Sequence, residues 1–205
     1  MAFPEIGYLL LIAYLIGSIP TSYWIGKIFF GINLLEHGSR NVGATNAWRI
    51  LGPPTGILVL VLDLLKGYLP VHFAITEFSI ESPQPIYIGI ACVVGHSMSP
   101  FLKFKGGKGV ATSAGFFLAM APVALGISLG IFLVILLMTR FVSLGSMVAS
   151  VAFPILSYLI HSQNPLIWQI GTGVSILILL RHKANIGRLL AGSENKLSFS
   201  QSRDL

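Results

Sequence analysis

Charge is missing from most of this chain, and that absence limits its fold more than any motif does. Seven apolar stretches cover residues 4–30, 53–77, 84–99, 109–121, 123–139, 142–160 and 164–181. Only 10% of the side chains are charged, against about 25% in an ordinary soluble domain. Hydrocarbon offers the backbone no water, so a segment inside a bilayer must close its own hydrogen bonds as a helix. The fold class that follows is all-α, a polytopic integral membrane protein. A span needs about 20 apolar residues, or about 17 at the short end. The third and fourth stretches fall below that, and the fourth, a run of about 13, makes only ~20 Å of helix. Pro122 separates the fourth from the fifth, because its ring clashes with the preceding turn.

The stretch from Ala2 to Ile19 has no basic region before it and leads straight into more protein, so it reads as a first span and not a removable signal. The lone Cys92 excludes a disulfide framework and a cysteine-rich metal site. Loop charges set the count and the orientation. With seven spans, Lys27, Arg40, Arg49, Lys103, Lys105, Lys108, Arg140, Arg181, Lys183, Arg188, Lys196 and Arg203 all fall on one face. The other face holds Glu5, Glu77 and Glu81. Merging 109–139 into one helix would send Arg140 and the basic tail outside, against the positive-inside bias. The expectation is seven transmembrane helices, N-terminus outside and C-terminus cytoplasmic. The net charge of +6 then belongs to cytoplasmic loops facing the lipid bilayer and not to a nucleic-acid surface. Residues 1–193 read as one membrane domain, and Glu194 to Leu205 as a frayed polar tail. Gly126-x-x-x-Gly130 offers a weak helix-packing signal.

Three polar, glycine-bearing segments share the cytoplasmic face. They are GSRNVGATNAWR (38–49), GHSMSPFLKFKGGKGVAT (95–112) and RHKANIGRLLAGSE (181–194). In the second, Lys105, Gly106, Gly107, Lys108 and Gly109 can turn successive N–H groups into an anion nest beside two cations. The alternative is a basic loop touching lipid headgroups. In the first, Ala44 stands where a Walker motif has lysine, and no strand precedes it, which rules that motif out. What remains is an oxyanion cradle from Ser39, the N–H groups of Gly43, Ala44 and Thr45, the Asn46 amide and the Arg49 guanidinium. A helix cap with Arg49 reaching headgroups fits the same residues. In the third, His182 and Asn185 share a helix face, where His182 serves as a base, as a hydroxyl partner or only as an interfacial side chain. Asp63 and Lys66 lie inside the second span, either as a functional pair or as a self-neutralising one. No metal-ligand spacing and no close carboxylate pair occurs, so neither metal nor cofactor is expected.

These three segments, with GSIP (17–20) and DLLKG (63–67), resemble the signatures of the bacterial acyl-phosphate:glycerol-3-phosphate acyltransferases, over almost the whole chain to about Glu194. The resemblance implies a multi-pass enzyme of the bacterial inner membrane with its site on the cytoplasmic face. It implies transfer of an acyl group from acyl phosphate to the 1-hydroxyl of glycerol 3-phosphate, giving lysophosphatidic acid and phosphate, with a soluble enzyme supplying the acyl phosphate. It assigns the glycerol-phosphate anion to Ser39, Arg49 and Lys108. The acyl-phosphate head falls to the loop with Lys105, Gly106, Gly107 and Gly109 and to Gly43, Ala44, Thr45 and Asn46. His182 and Asn185 are implied as the catalytic pair that orients the hydroxyl. The His-x4-Asp motif of other glycerolipid acyltransferases is absent. One departure stands out, because the family commonly has a small residue where this chain has Arg40.

Overall fold

A computed structural model describes residues 3–79 and 83–198. Glu81 and the tail from 199 onward, with Arg203, lie outside the described residues. Every apolar stretch is helical. The order is α1 (Phe3–Ser18), α2 (Thr21–Phe30), α3 (Ala44–Leu51), α4 (Pro53–Phe78), α5 (Gln84–Ser97), α6 (Val110–Met120), α7 (Pro122–Thr139), α8 (Val142–Ile160), α9 (Pro165–Arg181) and α10 (Lys183–Leu190). No strand occurs among the described residues. By length and apolarity α4, α7, α8 and α5 with its extension to Leu102 each suffice to cross a bilayer. A fifth candidate is α1 with α2, bent by 45°. The apolar α6 and α9 are shorter, at 11 and 17 residues. Large apolar side chains such as Leu137, Met138 and Leu159 are largely exposed on the helix bundle, the surface that lipid and not water would cover.

The first span breaks in mid-course at Ile19–Pro20, where proline supplies no N–H to continue the ladder. A break in hydrocarbon leaves carbonyls that need partners, and the sequence provides them. Ser99 Oγ donates to Ser18 O at 2.6 Å, and Lys66 Nζ donates to Ile19 O at 2.9 Å. Lys66 also sits 2.8 Å from Asp63 Oδ1, which accepts from Thr21 Oγ1 at 2.9 Å. Asp63 is only 2% exposed. The Asp63–Lys66 pair therefore closes on itself and caps a broken helix, which accounts for GSIP and DLLKG together.

Close backbone approaches fix the remaining geometry. A Cβ on Gly17 or Gly95 would lie 2.1 or 2.2 Å from a backbone oxygen of the facing helix, so α1 and α5 pack main chain to main chain. The same holds for α4 and α6 at Gly67 and Gly115, with 2.0 and 1.9 Å. This clamps the short α6, and with it Lys108, two residues before its start. By contrast, a Cβ at Gly126 or Gly130 would meet nothing within 4 Å, so that pair is not a packing face within this chain.

Candidate active site

The segment between α5 and α6 folds back on the end of α5. Gly106 N–H donates to Ser97 O at 3.2 Å and Gly107 N–H to His96 O at 3.0 Å. Both glycines are needed for this approach. A Cβ on Gly106 would sit 2.0 Å from His96 O, and one on Gly107 2.2 Å from His96 Nε2. The expected nest of N–H groups at 106 and 107 is therefore closed, because those donors satisfy the last carbonyls of α5. Arg181, from the end of α9, locks the other side. Its Nη2 donates to Ser97 O, Gly106 O and Gly107 O at 2.9, 2.7 and 2.9 Å, and its Nε to Gly107 O at 3.1 Å. The fixed loop leads directly into Lys108. Lys105 is exposed, and Gly109, at φ +82°, turns the chain into α6.

The segment before α3 is organised from within. Asn46 is 1% exposed, and its Oδ1 accepts from Ser39 N at 2.9 Å. Its Nδ2 donates to Leu34 O at 3.2 Å and His37 O at 3.1 Å. The amide expected to touch a ligand thus holds the loop together and presents Ser39. Gly43 caps α3 without a side-chain bond, and Ala44 and Thr45 open that helix with N–H groups that have no intrahelical partner. Arg49 Nη2 donates to Asn195 O at 2.9 Å, while its Nε is buried without a partner. Burial lowers the Arg49 pKa, opposed by Glu194 and reinforced by Arg188, although a guanidinium stays charged throughout.

The third segment bends at His182, between α9 and α10. His182 is 2% exposed, and its Nδ1 lies 2.8 Å from Ile178 O. A carbonyl only accepts, so Nδ1 carries the hydrogen and Nε2 keeps its lone pair. Burial, aided by the Lys108 charge, pushes the His182 pKa down to about 4, so the ring is neutral near pH 7. Asn185 bridges two charges. Its Oδ1 accepts from Lys108 Nζ, and its Nδ2 donates to Glu194 Oε1 at 2.6 Å. Glu194 also accepts from Ser143 Oγ at 2.8 Å and Arg188 Nε at 2.7 Å. Burial works to raise the Glu194 pKa, but the bonds from Asn185, Ser143 and Arg188 outweigh it and hold the carboxyl below its usual range. Lys108 is pushed down to about 8, chiefly by burial and then by Arg188, Arg49 and Arg181, against the pull of Glu194.

The frayed tail expected from Glu194 does not begin there. Glu194 to Ser198 are tied to α3, α10 and the α7–α8 turn, by tertiary partners that composition does not reveal.

A cavity of about 290 Å³ opens where the segments meet, lined by Ser39, Asn41, Lys108, Leu180, Arg181, Ala184, Asn185 and Arg188. Of the expected site residues it gathers Ser39, Lys108 and Asn185. Arg49, Gly43, Ala44, Thr45, Asn46, Lys105, Gly106, Gly107, Gly109 and His182 do not line it. Sequence reasoning gave no role to Asn41, Arg181 or Arg188 at the wall, nor to Glu194 behind it. Among the described residues no group of His, Cys, Asp and Glu could hold a metal.

Fold and site together define a helical membrane protein with a cavity lined by three cationic side chains, Lys108, Arg181 and Arg188. The chain belongs to the glycerol-3-phosphate acyltransferase family, whose model matches residues 7–192. A glycerol-3-phosphate acyltransferase of Fusobacterium nucleatum is 40% identical over 190 residues, covering 93% of this chain and 97% of the relative. One of Enterococcus faecalis is 41% identical over 203 residues, with 95% and 93% covered. The crystal structure of PlsY, an integral membrane glycerol 3-phosphate acyltransferase in its glycerol 3-phosphate form, superposes with a TM-score of 0.89 at 38% identity. That match covers 95% of this chain and 96% of the other. The lysophosphatidic acid form of PlsY matches with a TM-score of 0.86 at 37% identity.

Proposed function

We propose that this chain moves a fatty acyl group from acyl phosphate to the 1-hydroxyl of glycerol 3-phosphate, giving lysophosphatidic acid and inorganic phosphate. The observation that carries this reading is the convergence of Lys108, Arg181 and Arg188 on one small cavity, with the nearest carboxylate, Glu194, already engaged by three donors. A site of that kind holds anions, and both substrates are phosphates. Ser39, Lys108 and Arg49 grip the glycerol-phosphate anion. Ala44 and Thr45 offer N–H groups to the developing oxyanion, Gly43 and Asn46 shape that turn, and Lys105 and Gly109 flank the acyl-phosphate head. Gly106 and Gly107 act by shape, letting Arg181 hold Lys108 in place.

The chemistry needs little more than this. The 1-hydroxyl oxygen bonds to the acyl carbon, the bond from that carbon to the phosphate oxygen breaks, and phosphate leaves with the electron pair. Charge placed in advance against the oxyanion and the leaving group lowers the barrier. His182 Nε2 and Asn185 orient the hydroxyl. A ring whose conjugate acid titrates at about 4 is a weaker base than a phosphate monoester, whose second pKa is about 6. Substrate phosphate is the proton acceptor in this reading, and His182 positions the hydroxyl.

Seven crossings, with the N-terminus outside and the C-terminus cytoplasmic, fit the same reading. The three polar segments that meet at the cavity carry eight of the thirteen Lys and Arg side chains, as positive-inside loops do. The site then faces the cytoplasm from the bacterial inner membrane, where a soluble enzyme supplies acyl phosphate while the acyl tail stays in lipid. Asp63 and Lys66 would be the argument for a transporter, and their closed pairing at the helix break withdraws it. The test is an assay of purified protein in nanodiscs with acyl phosphate and glycerol 3-phosphate. Phosphate and lysophosphatidic acid should appear in equal amounts. Turnover with acyl-CoA and none with acyl phosphate would sink the donor assignment.

A further inference from the structure

The chain beyond Glu194 reads as a polar tail, yet its main chain is tied to two separate elements. Leu197 N–H donates to Arg140 O in the turn between α7 and α8 at 2.8 Å, and the Leu197 side chain is only 7% exposed. Arg49 Nη2 donates to Asn195 O at 2.9 Å, and Trp48 Nε1 donates to Ser198 O at 3.1 Å. Two neighbouring residues of α3 thus both reach one extended segment, itself anchored by a buried leucine. Arg49 gains most from this. Its Nε has no partner, so among the described residues the Asn195 carbonyl is the one hydrogen-bond acceptor that fixes the guanidinium. An arginine fixed before its ligand arrives loses less rotamer freedom on binding than a mobile one.

We propose that Asn195–Ser198 is a positioning strap for Arg49, and that binding of the glycerol-phosphate anion depends on this main-chain segment. The inference rests on the assignment of Arg49 to that anion. The contact to Arg49 is a carbonyl, so the strap acts through its path and not through its polar side chains. Leu197 sets that path by burying its side chain and pairing with Arg140.

The test compares the full chain with a chain ended after Glu194, a control ended after Gln201, Leu197→Asp and Leu197→Ile. The readouts are KM for glycerol 3-phosphate and kcat at saturating acyl phosphate, with thermal unfolding alongside. Ending after Glu194 and Leu197→Asp should each raise KM about tenfold, the loss of one charge-assisted contact, with a smaller fall in kcat. The Gln201 chain and Leu197→Ile should keep the full chain's KM. Unchanged KM in both the Glu194 chain and Leu197→Asp overturns the strap. Where either unfolds below the assay temperature, the milder Leu197→Ala decides by the same KM criterion. A full-length chain that turns over nothing refutes the functional reading, an outcome separate from an active chain that ignores its strap.

Discussion

Two lysines of this molecule each stand near a buried acid, and they end differently. Lys66 meets Asp63 directly and gives a further bond to Ile19 O, so its charge is neutralised where it sits. Lys108 meets Glu194 only through Asn185, and Glu194 is occupied by Ser143 and Arg188 as well. Its positive charge, with those of Arg181 and Arg188, faces a cavity. The first arrangement caps a broken helix, and the second leaves cationic side chains at a cavity wall, where the proposed anion would bind. An ionisable group inside a membrane protein is a sign of function only when its bonds leave charge over.

The comparison breaks most visibly at Lys66. Lys66→Met leaves Asp63 buried without its cation, which costs about 3–5 kcal/mol of stability and should appear as a large fall in unfolding temperature. Adding Asp63→Leu should recover most of it, leaving about 1 kcal/mol for the uncapped Ile19 carbonyl. A single variant as stable as the parent would mean the pair is not closed as described.

At Lys108 the effect is on rate and pH. With its pKa near 8, Lys108 is a cation below that pH and loses its charge above it, so kcat/KM for glycerol 3-phosphate should decline on the basic side from about pH 8. Lys108→Arg keeps a charge to beyond pH 12, and whatever its rate, that basic limb should vanish. The acid limb reports the proton acceptor. If substrate phosphate takes the proton, the limb lies near pH 6 and persists in the weakened His182→Ala variant. Its disappearance in that variant would make His182 the base.

Much of this was legible in the residues. Seven apolar stretches gave seven helical regions, because hydrocarbon leaves the backbone no other option. Three polar segments far apart in sequence do meet at one cavity. The partners of individual polar groups were not legible, since they depend on tertiary distance and not on local pattern. Asn46 reaches back to Leu34 and His37, and Arg181 reaches Gly107 across 74 positions. The bend at Ile19–Pro20 had a signal in a mid-span proline paired with a mid-span lysine. Arg40 becomes intelligible only with its backbone. At φ +56° it occupies the left-handed region, which glycine enters freely and which arginine, with its Cβ, enters at a cost.

The most direct measurement is equilibrium binding of glycerol 3-phosphate, by titration calorimetry in nanodiscs, to the parent, to Lys108→Met and to the Lys66→Met/Asp63→Leu double variant. Lys108→Met should lose at least about 1.5–3 kcal/mol of binding, the worth of a hydrogen bond to a charged group, while the double variant binds as the parent does. Intact binding in Lys108→Met, or binding lost in the folded double variant, would contradict the division of labour between the two lysines.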